Sequence, residues 1–171
     1  MSRRIIVDAN IARSCTDPAR HVTSEGCLLL TQMLAHRRSD LRVALTPKIE
    51  EEWERHATRT FMSWWASMES RGRINHEKDV RVADYRAAIE AVGDTGVRDL
   101  LLKDAHMVEL ALIQHYPVAS QDDKQARHVA ALAAKYALVG NVEWFNPVTA
   151  IGWIEWLDSG CDDHQLFALV S

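Results

Sequence analysis

Arg3-Arg4-Ile5-Ile6-Val7-Asp8-Ala9-Asn10 is the stretch on which the fold turns. Its β-branched run ends in an acid and reads as a buried strand, Arg3–Asp8, turning into a short helix over Ala9–Ser14. Further along, residues 24–37 place Leu28, Leu30, Met33 and Leu34 at helical spacing, and Leu41–Leu45 reads as a second strand. Thr46-Pro47 is an N-cap followed by proline at the first helical position, so a helix is expected from there to Arg71, with Gly72 as its stop. Arg73–His76 reads as a linker. Helices are expected over residues 77–92 and 97–114, with Gly93 and Gly96 between them. Pro117–Ser120 is strand-like and precedes a helix over residues 123–136. Residues 138–145 read as a last strand broken by Gly140, and Asn146-Pro147 repeats the cap-then-proline signature for a helix reaching Leu157. Strands separated by helical stretches predict an α/β fold with a central parallel sheet.

With 171 residues, 47% apolar and 26% charged, the chain is long enough for one well-buried core and too apolar for disorder. Its apolar runs are too short to cross a bilayer. MSRR leads straight into IIVD with no signal-peptide pattern. The three cysteines are scattered and fit neither a disulfide framework nor a metal clip, so a cytoplasmic setting is expected. The net charge of −4 is uneven: residues 141–171 hold five acids and no Lys or Arg, leaving the first 140 residues at +1. Fifteen of the twenty basic residues are Arg, whose planar fork matches phosphate.

In an open parallel sheet, sites lie beyond the carboxyl ends of the strands. Four acidic positions fall there or just inside the following helix: Asp8, the run Glu50-Glu51-Glu52, Asp104, and Asp122-Asp123. Each has a structural reading as well. Asp8, Asp122 and Asp123 suit helix caps, and acids in a first helical turn suit the macrodipole. Helical phase separates the glutamates. With Ile49 facing the core, Glu52 borders the buried stripe and Glu51 points to solvent. Asp104 shares a stripe with Met107, Val108 and Ala111. Carboxylates converging at one place repel unless cations compensate them, and an all-oxygen set suits Mg²⁺ or Mn²⁺.

Ile5-Ile6-Val7-Asp8-Ala9-Asn10, Thr46-Pro47-Lys48-Ile49-Glu50-Glu51-Glu52-Trp53, Lys103-Asp104-Ala105-His106-Met107-Val108 and Val118-Ala119-Ser120-Gln121-Asp122, taken in order, resemble PIN-domain ribonucleases over about residues 3–145. The VapC-type toxins of bacterial toxin–antitoxin pairs belong to that family. The resemblance implies a three-layer α/β/α fold and an Mg²⁺- or Mn²⁺-dependent endoribonuclease. Asp8, Glu52, Asp104 and Asp122 would be its catalytic and metal-binding acids, and Asn10 and Ser120 supporting groups that contact the substrate. Three adjacent glutamates leave the register of the second acid open among Glu50, Glu51 and Glu52. On this reading residues 1–145 form the nuclease domain and residues 146–171 a helical, acidic extension. The implied partners are RNA and, for a toxin, an antitoxin protein; no membrane is involved.

The departures from a compact toxin are the long helical region after Thr46, with Trp53, Trp64 and Trp65, and the tail with Trp153 and Trp156. Tryptophans stack on unpaired bases, but at helical spacing they more commonly fill cores or interfaces. The tail is therefore expected to pack on its own domain, or to make a homo-oligomer through its tryptophans. Arg37-Arg38 and Arg71-Gly72-Arg73 are candidate phosphate contacts that also read as solvated faces. His106, two residues from Asp104, reads either as a substrate-phosphate contact or as a partly buried polar residue. The eight histidines include no H-x-x-x-H pair, which disfavours zinc. Phosphate-cradling glycine loops are absent. A phosphatase using Asp8 as nucleophile would want an acid where Asn10 stands. The alternatives are a catalytically silent PIN-like module that binds RNA or protein, and an unrelated α/β phosphatase.

Overall fold

The Ile5-Ile6-Val7 run is the middle of a five-stranded, all-parallel sheet in a computed structural model that describes residues 3–19, 21–36 and 40–170. β1 (Arg4–Val7) pairs with β2 (Arg42–Leu45) on one side and with β4 (Val118–Ala119) on the other. β3 (Ile74–His76) flanks β2, and β5 (Trp144–Phe145) flanks β4, giving the order β3-β2-β1-β4-β5. Ile5, Ile6 and Val7 are fully buried, the expected state of a central parallel strand covered on both faces.

Nine α-helices connect and follow the strands among the described residues. α1 (Ala9–Ser14) and α2 (Ser24–Ala35) lie between β1 and β2, and α3 (Pro47–His56) and α4 (Arg59–Ser70) between β2 and β3. α5 (Ala83–Glu90), α6 (Thr95–Lys103) and α7 (Ala105–Gln114) lead to β4, α8 (Asp123–Ala131) leads to β5, and α9 (Trp153–Asp158) follows it. α1 packs on α2 and α3, and α2 on α4; α6 packs on α5, α7 and α8. No helix among the described residues is long and apolar enough to cross a membrane.

Several expected boundaries shift, each for a local reason. The helix from Thr46 stops at His56, because Thr58 caps a new helix by accepting from Phe61 N at 3.2 Å. Thr58 also ties this break to α1: its N–H donates to Ala12 O at 3.1 Å and its hydroxyl to Cys15 O. The expected linker at residues 73–76 holds β3, an edge strand too short to announce itself. The helix expected from residue 77 starts at Ala83, and the one expected over residues 97–114 is divided at Asp104. Its first half starts at Thr95, where Asp94 accepts from Val97 N at 3.0 Å.

The tail departs furthest. Residues 137–141 form a 3₁₀ helix, which shortens the last strand to Trp144–Phe145. Asn146-Pro147 starts only a turn, in which Asn146 O accepts from Ala150 N at 2.9 Å. α2 approaches this turn so closely that a Cβ on Gly26 would lie 2.3 Å from Pro147 O. The chain then reverses at Gly152, whose φ of +81° favours glycine, before α9 begins. Trp153, Trp156 and Leu157 are buried in the main core, with Trp156 against Phe145 and Phe167, whereas Ile151 is 92% exposed rather than packed. The end of the chain covers the open edge of β5: Trp144 N donates to Phe167 O at 2.8 Å, and Leu169 N to Val142 O at 3.0 Å. Arg3 clamps this segment to β1 through Glu143 and Cys161 O.

The tryptophans are core residues. Trp53, Trp65, Trp144, Trp153 and Trp156 are buried, and Trp64 is half-buried against Trp53 and Phe61. Arg71, which is exposed, donates to Ala35 O, and the half-buried Arg73 to Leu34 O and His36 O, so both bind carbonyls at the end of α2. Arg37 and Arg38 lie outside the described residues.

Candidate acidic site at the carboxyl edge of the sheet

Chain direction across the sheet reverses between β1 and β4, since β1 leads outward to β2 and β3 while β4 leads outward to β5. Such a switch point leaves a crevice at the carboxyl ends of the two strands. Asp8 and Ser120 end those strands. Asp8 N donates to Ala119 O at 3.0 Å, which places the two residues side by side.

Ser120 is the centre of the hydrogen bonding there and is fully buried. Its hydroxyl donates to Asp8 Oδ2 at 2.6 Å and accepts from Asn10 Nδ2 at 2.9 Å and Asp122 N at 3.1 Å. Asn10 uses its other end to accept from Gln121 N at 3.1 Å, while its own N–H donates to Asp8 Oδ1 at 3.3 Å. Asn10 and Ser120 therefore fix Asp8 and the loop after β4 as one unit.

Glu52 reaches the site from α3. The helix is fixed to β1 by Trp53, whose Nε1 donates to Val7 O at 2.9 Å, one residue from each of the two acids. Glu52 is half-buried beside His106, whereas Glu51 is exposed and paired with Arg55. The glutamate that faces the other acids is thus Glu52. Asp104 stands at the junction of α6 and α7, half-buried and with no side-chain capping bond. Asp122 is exposed, and its Oδ1 accepts from Gln125 N at 2.8 Å, so it does serve as the cap of α8.

The acids feel one another. Burial raises the Asp8 carboxyl against the pull of the Ser120 and Asn10 hydrogen bonds, and the charges of Glu52 and Asp122 raise it further. Asp104 is pushed up to about 6, first by burial and then by the charge of Asp8; Glu52 adds to this, and Lys103 and His106 oppose it. At Glu52 partial burial acts to raise the carboxyl, but His106, Lys48 and Lys103 outweigh it and the net shift is downward. The site is an electrostatically coupled group of acids with two lysines at its rim.

Among the described residues, no three carboxylate, imidazole or thiol side chains converge closely enough to cage a metal ion. Mg²⁺ does not need such a cage: it commonly takes one or two carboxylates and completes its octahedron with water and substrate oxygens. One or two of Asp8, Glu52 and Asp104 would meet that requirement. They are all-oxygen donors, and their mutual repulsion is what a hard cation relieves.

Two further residues stabilise the site and were not singled out by sequence. Asn146, at the end of β5, donates Nδ2 to Gln121 O at 3.2 Å and to Asp123 Oδ1 at 3.1 Å, holding the loop that carries Asp122. Gln121 accepts from Ser14 Oγ at 3.2 Å and donates to Cys27, tying the loop to α1 and α2. The strand-end rule that finds Asp8 also points to Asn146, but its cap-then-proline context masks it. Compared with protein-family models, curated proteins and solved structures, the chain matches none.

Proposed function

We propose that the chain is a PIN-like, Mg²⁺- or Mn²⁺-dependent endoribonuclease acting in the cytoplasm. The observation that carries this reading is the Asp8–Ser120–Asn10 unit at the switch point of the sheet, coupled to the charges of Glu52 and Asp104. With the strand order β3-β2-β1-β4-β5, crossovers of the usual right hand would put α1–α4 on one face of the sheet and α5–α8 on the other, as a three-layer α/β/α arrangement requires. The three cysteines are free and buried, in keeping with a reducing compartment.

Asp8, Glu52, Asp104 and Asp122 are the candidate donors, of which one or two would hold the cation together with water and substrate oxygens. When bound, the cation acidifies the attacking water and stabilises charge on the phosphoryl group. The chain's own part is positional. Ser120 and Asn10 orient Asp8, Trp53 sets the distance of α3 from β1, and Lys48 and Lys103 offer positive charge to flanking phosphates. As a toxin the protein would pair with an antitoxin, and growth arrest on induction, abolished by Asp8→Asn, tests that role. A homo-oligomer belongs to the proposal too, although the tryptophans that motivated it pack inside the chain, and sedimentation tests it.

The direct test is cleavage of single-stranded RNA with Mn²⁺, with Mg²⁺ and with EDTA. Cleavage should need a cation and should vanish in Asp8→Asn, with the melting temperature as the control for folding. No cleavage in any condition, or cleavage equal in Asp8→Asn, refutes the enzyme. The second reading, a silent module that binds RNA or protein, gains from the absence of a three-donor cage among the described residues, and RNA binding without cleavage would establish it.

A further inference from the structure

His106 lies in the first turn of α7, two residues past Asp104, and is only 5% exposed. Neither ring nitrogen has a hydrogen-bond partner among the described residues. An unpaired polar group in such a place bears the full cost of its desolvation. Nε2 nevertheless points at the acidic site, 3.4 Å from Glu52 Oε2, within ion-pair range but too long for a well-formed hydrogen bond. The other carboxylate on the same helix is already committed: Glu109 accepts from Arg86 Nε at 2.7 Å, from Arg86 Nη2 at 2.6 Å and from Val82 N at 3.0 Å.

We infer that His106 is a positioning residue, whose Nε2–H holds the Glu52 carboxylate turned into the acidic crevice for cation binding. This rests on the divalent-cation site proposed above. An ionised carboxylate only accepts, so the hydrogen must sit on Nε2. Lys48, one helical turn away, also attracts Glu52, and the His106 donor is what favours the crevice over that lysine. Closing the remaining gap takes a few tenths of an ångström, the kind of tightening that catalytic contacts undergo when a ligand arrives. Hydrogen-bond partners behind a metal-binding carboxylate are typically worth about 10–100-fold in metal affinity.

The test is calorimetric titration of Mn²⁺ alone into the metal-free, full-length wild type, His106→Ala and His106→Gln, with melting in EDTA as the control for folding. Glutamine keeps an N–H donor near the place of Nε2; alanine removes it. His106→Ala should bind Mn²⁺ at least about tenfold more weakly, and His106→Gln should recover most of the loss. Unchanged affinity in His106→Ala overturns the inference. So does an equal loss in both variants, which would mean that packing of the ring matters and its hydrogen does not. Should His106→Ala fail to fold, His106→Gln decides: near-wild-type affinity supports the assignment, and loss overturns it. A wild type that binds Mn²⁺ but cleaves no RNA removes the ribonuclease and leaves the His106 assignment to the affinities. One that binds no Mn²⁺ overturns both.

Discussion

Asp104→Asn should make the metal-free protein more stable at neutral pH. The Asp104 side chain makes no capping bond, so the amide removes a charge and no hydrogen bond. Its carboxyl is raised from 3.8 to about 6, a difference of about 3 kcal/mol at ~1.4 kcal/mol per unit. The group is partly solvated, and water screens part of that, leaving about 1–2 kcal/mol. For a chain of this size that is a gain of about 3–6 °C in melting temperature. The sign follows from proton uptake. Between about pH 4 and 6 the native state holds a proton on Asp104 that the unfolded chain has lost, so wild-type stability falls as pH rises through this window. The variant has no such loss. The gap between the two proteins should therefore be near zero below pH 4 and fully open above pH 6. Thermal melts in EDTA across pH 3.5–8 measure it. Added Mn²⁺ should reverse the order, because a cation at 100 times its Kd stabilises the wild type by about 2.7 kcal/mol and the variant binds it more weakly. Equal melting temperatures at pH 7.5 in EDTA, or a gap of the same size at pH 4, would refute the reasoning.

Ser120→Ala leaves Asn10 Nδ2 and Asp122 N without their acceptor and should cost about 1–3 kcal/mol in urea unfolding. The same change removes a hydrogen bond that lowers the Asp8 carboxyl, so the acid limb of the pH–activity profile should move to higher pH. Glu52→Gln should lose cleavage while Glu51→Ala keeps it, since only Glu52 faces Asp8 and Asp104; the reverse result would move the site by one residue. Trp156→Ala empties a buried contact with Phe145 and Phe167 and should destabilise by about 3–5 kcal/mol, seen as a large fall in melting temperature.

What sequence pattern conveyed was whatever depends on local chemistry with one outcome. Ile5-Ile6-Val7 has no polar alternation to offer a solvated face, so it had to be a buried strand. Thr46-Pro47 had to start a helix, and Thr46 does accept from Ile49 N at 3.4 Å. Helical phase chose Glu52 over Glu51 for the same reason, since one residue's rotation of about 100° separates the core from solvent. Where a residue type serves two ends equally well, the pattern was silent. Thr58 reads as an ordinary helical residue until the hydroxyl is seen to bond Cys15 O and cap α4.

The tail shows why the rest was hidden. Asn146-Pro147 repeats the helix-start signature of Thr46-Pro47, and Asn146 Oδ1 does accept from Val148 N at 2.9 Å as an N-cap would, while its Nδ2 donates to Gln121 O and Asp123 Oδ1. The capped start nevertheless ends after one turn, and the helix begins only at Trp153, past Gly152 with its φ of +81°. The deferral lets the segment after α9 return to the edge of β5, where it donates to and accepts from the strand's neighbours. A continuous helix from Pro147 would have left that edge open and Phe145 without Trp153 and Trp156 above it. The cap is satisfied within the turn, so the length of the helix is decided by tertiary terms: edge protection and the packing of Trp153 and Trp156 on Phe145. The same bonds make the tail part of the site's support: through Asn146 it holds the loop carrying Asp122, so damage to the tail's packing should reach the acids without touching one of them.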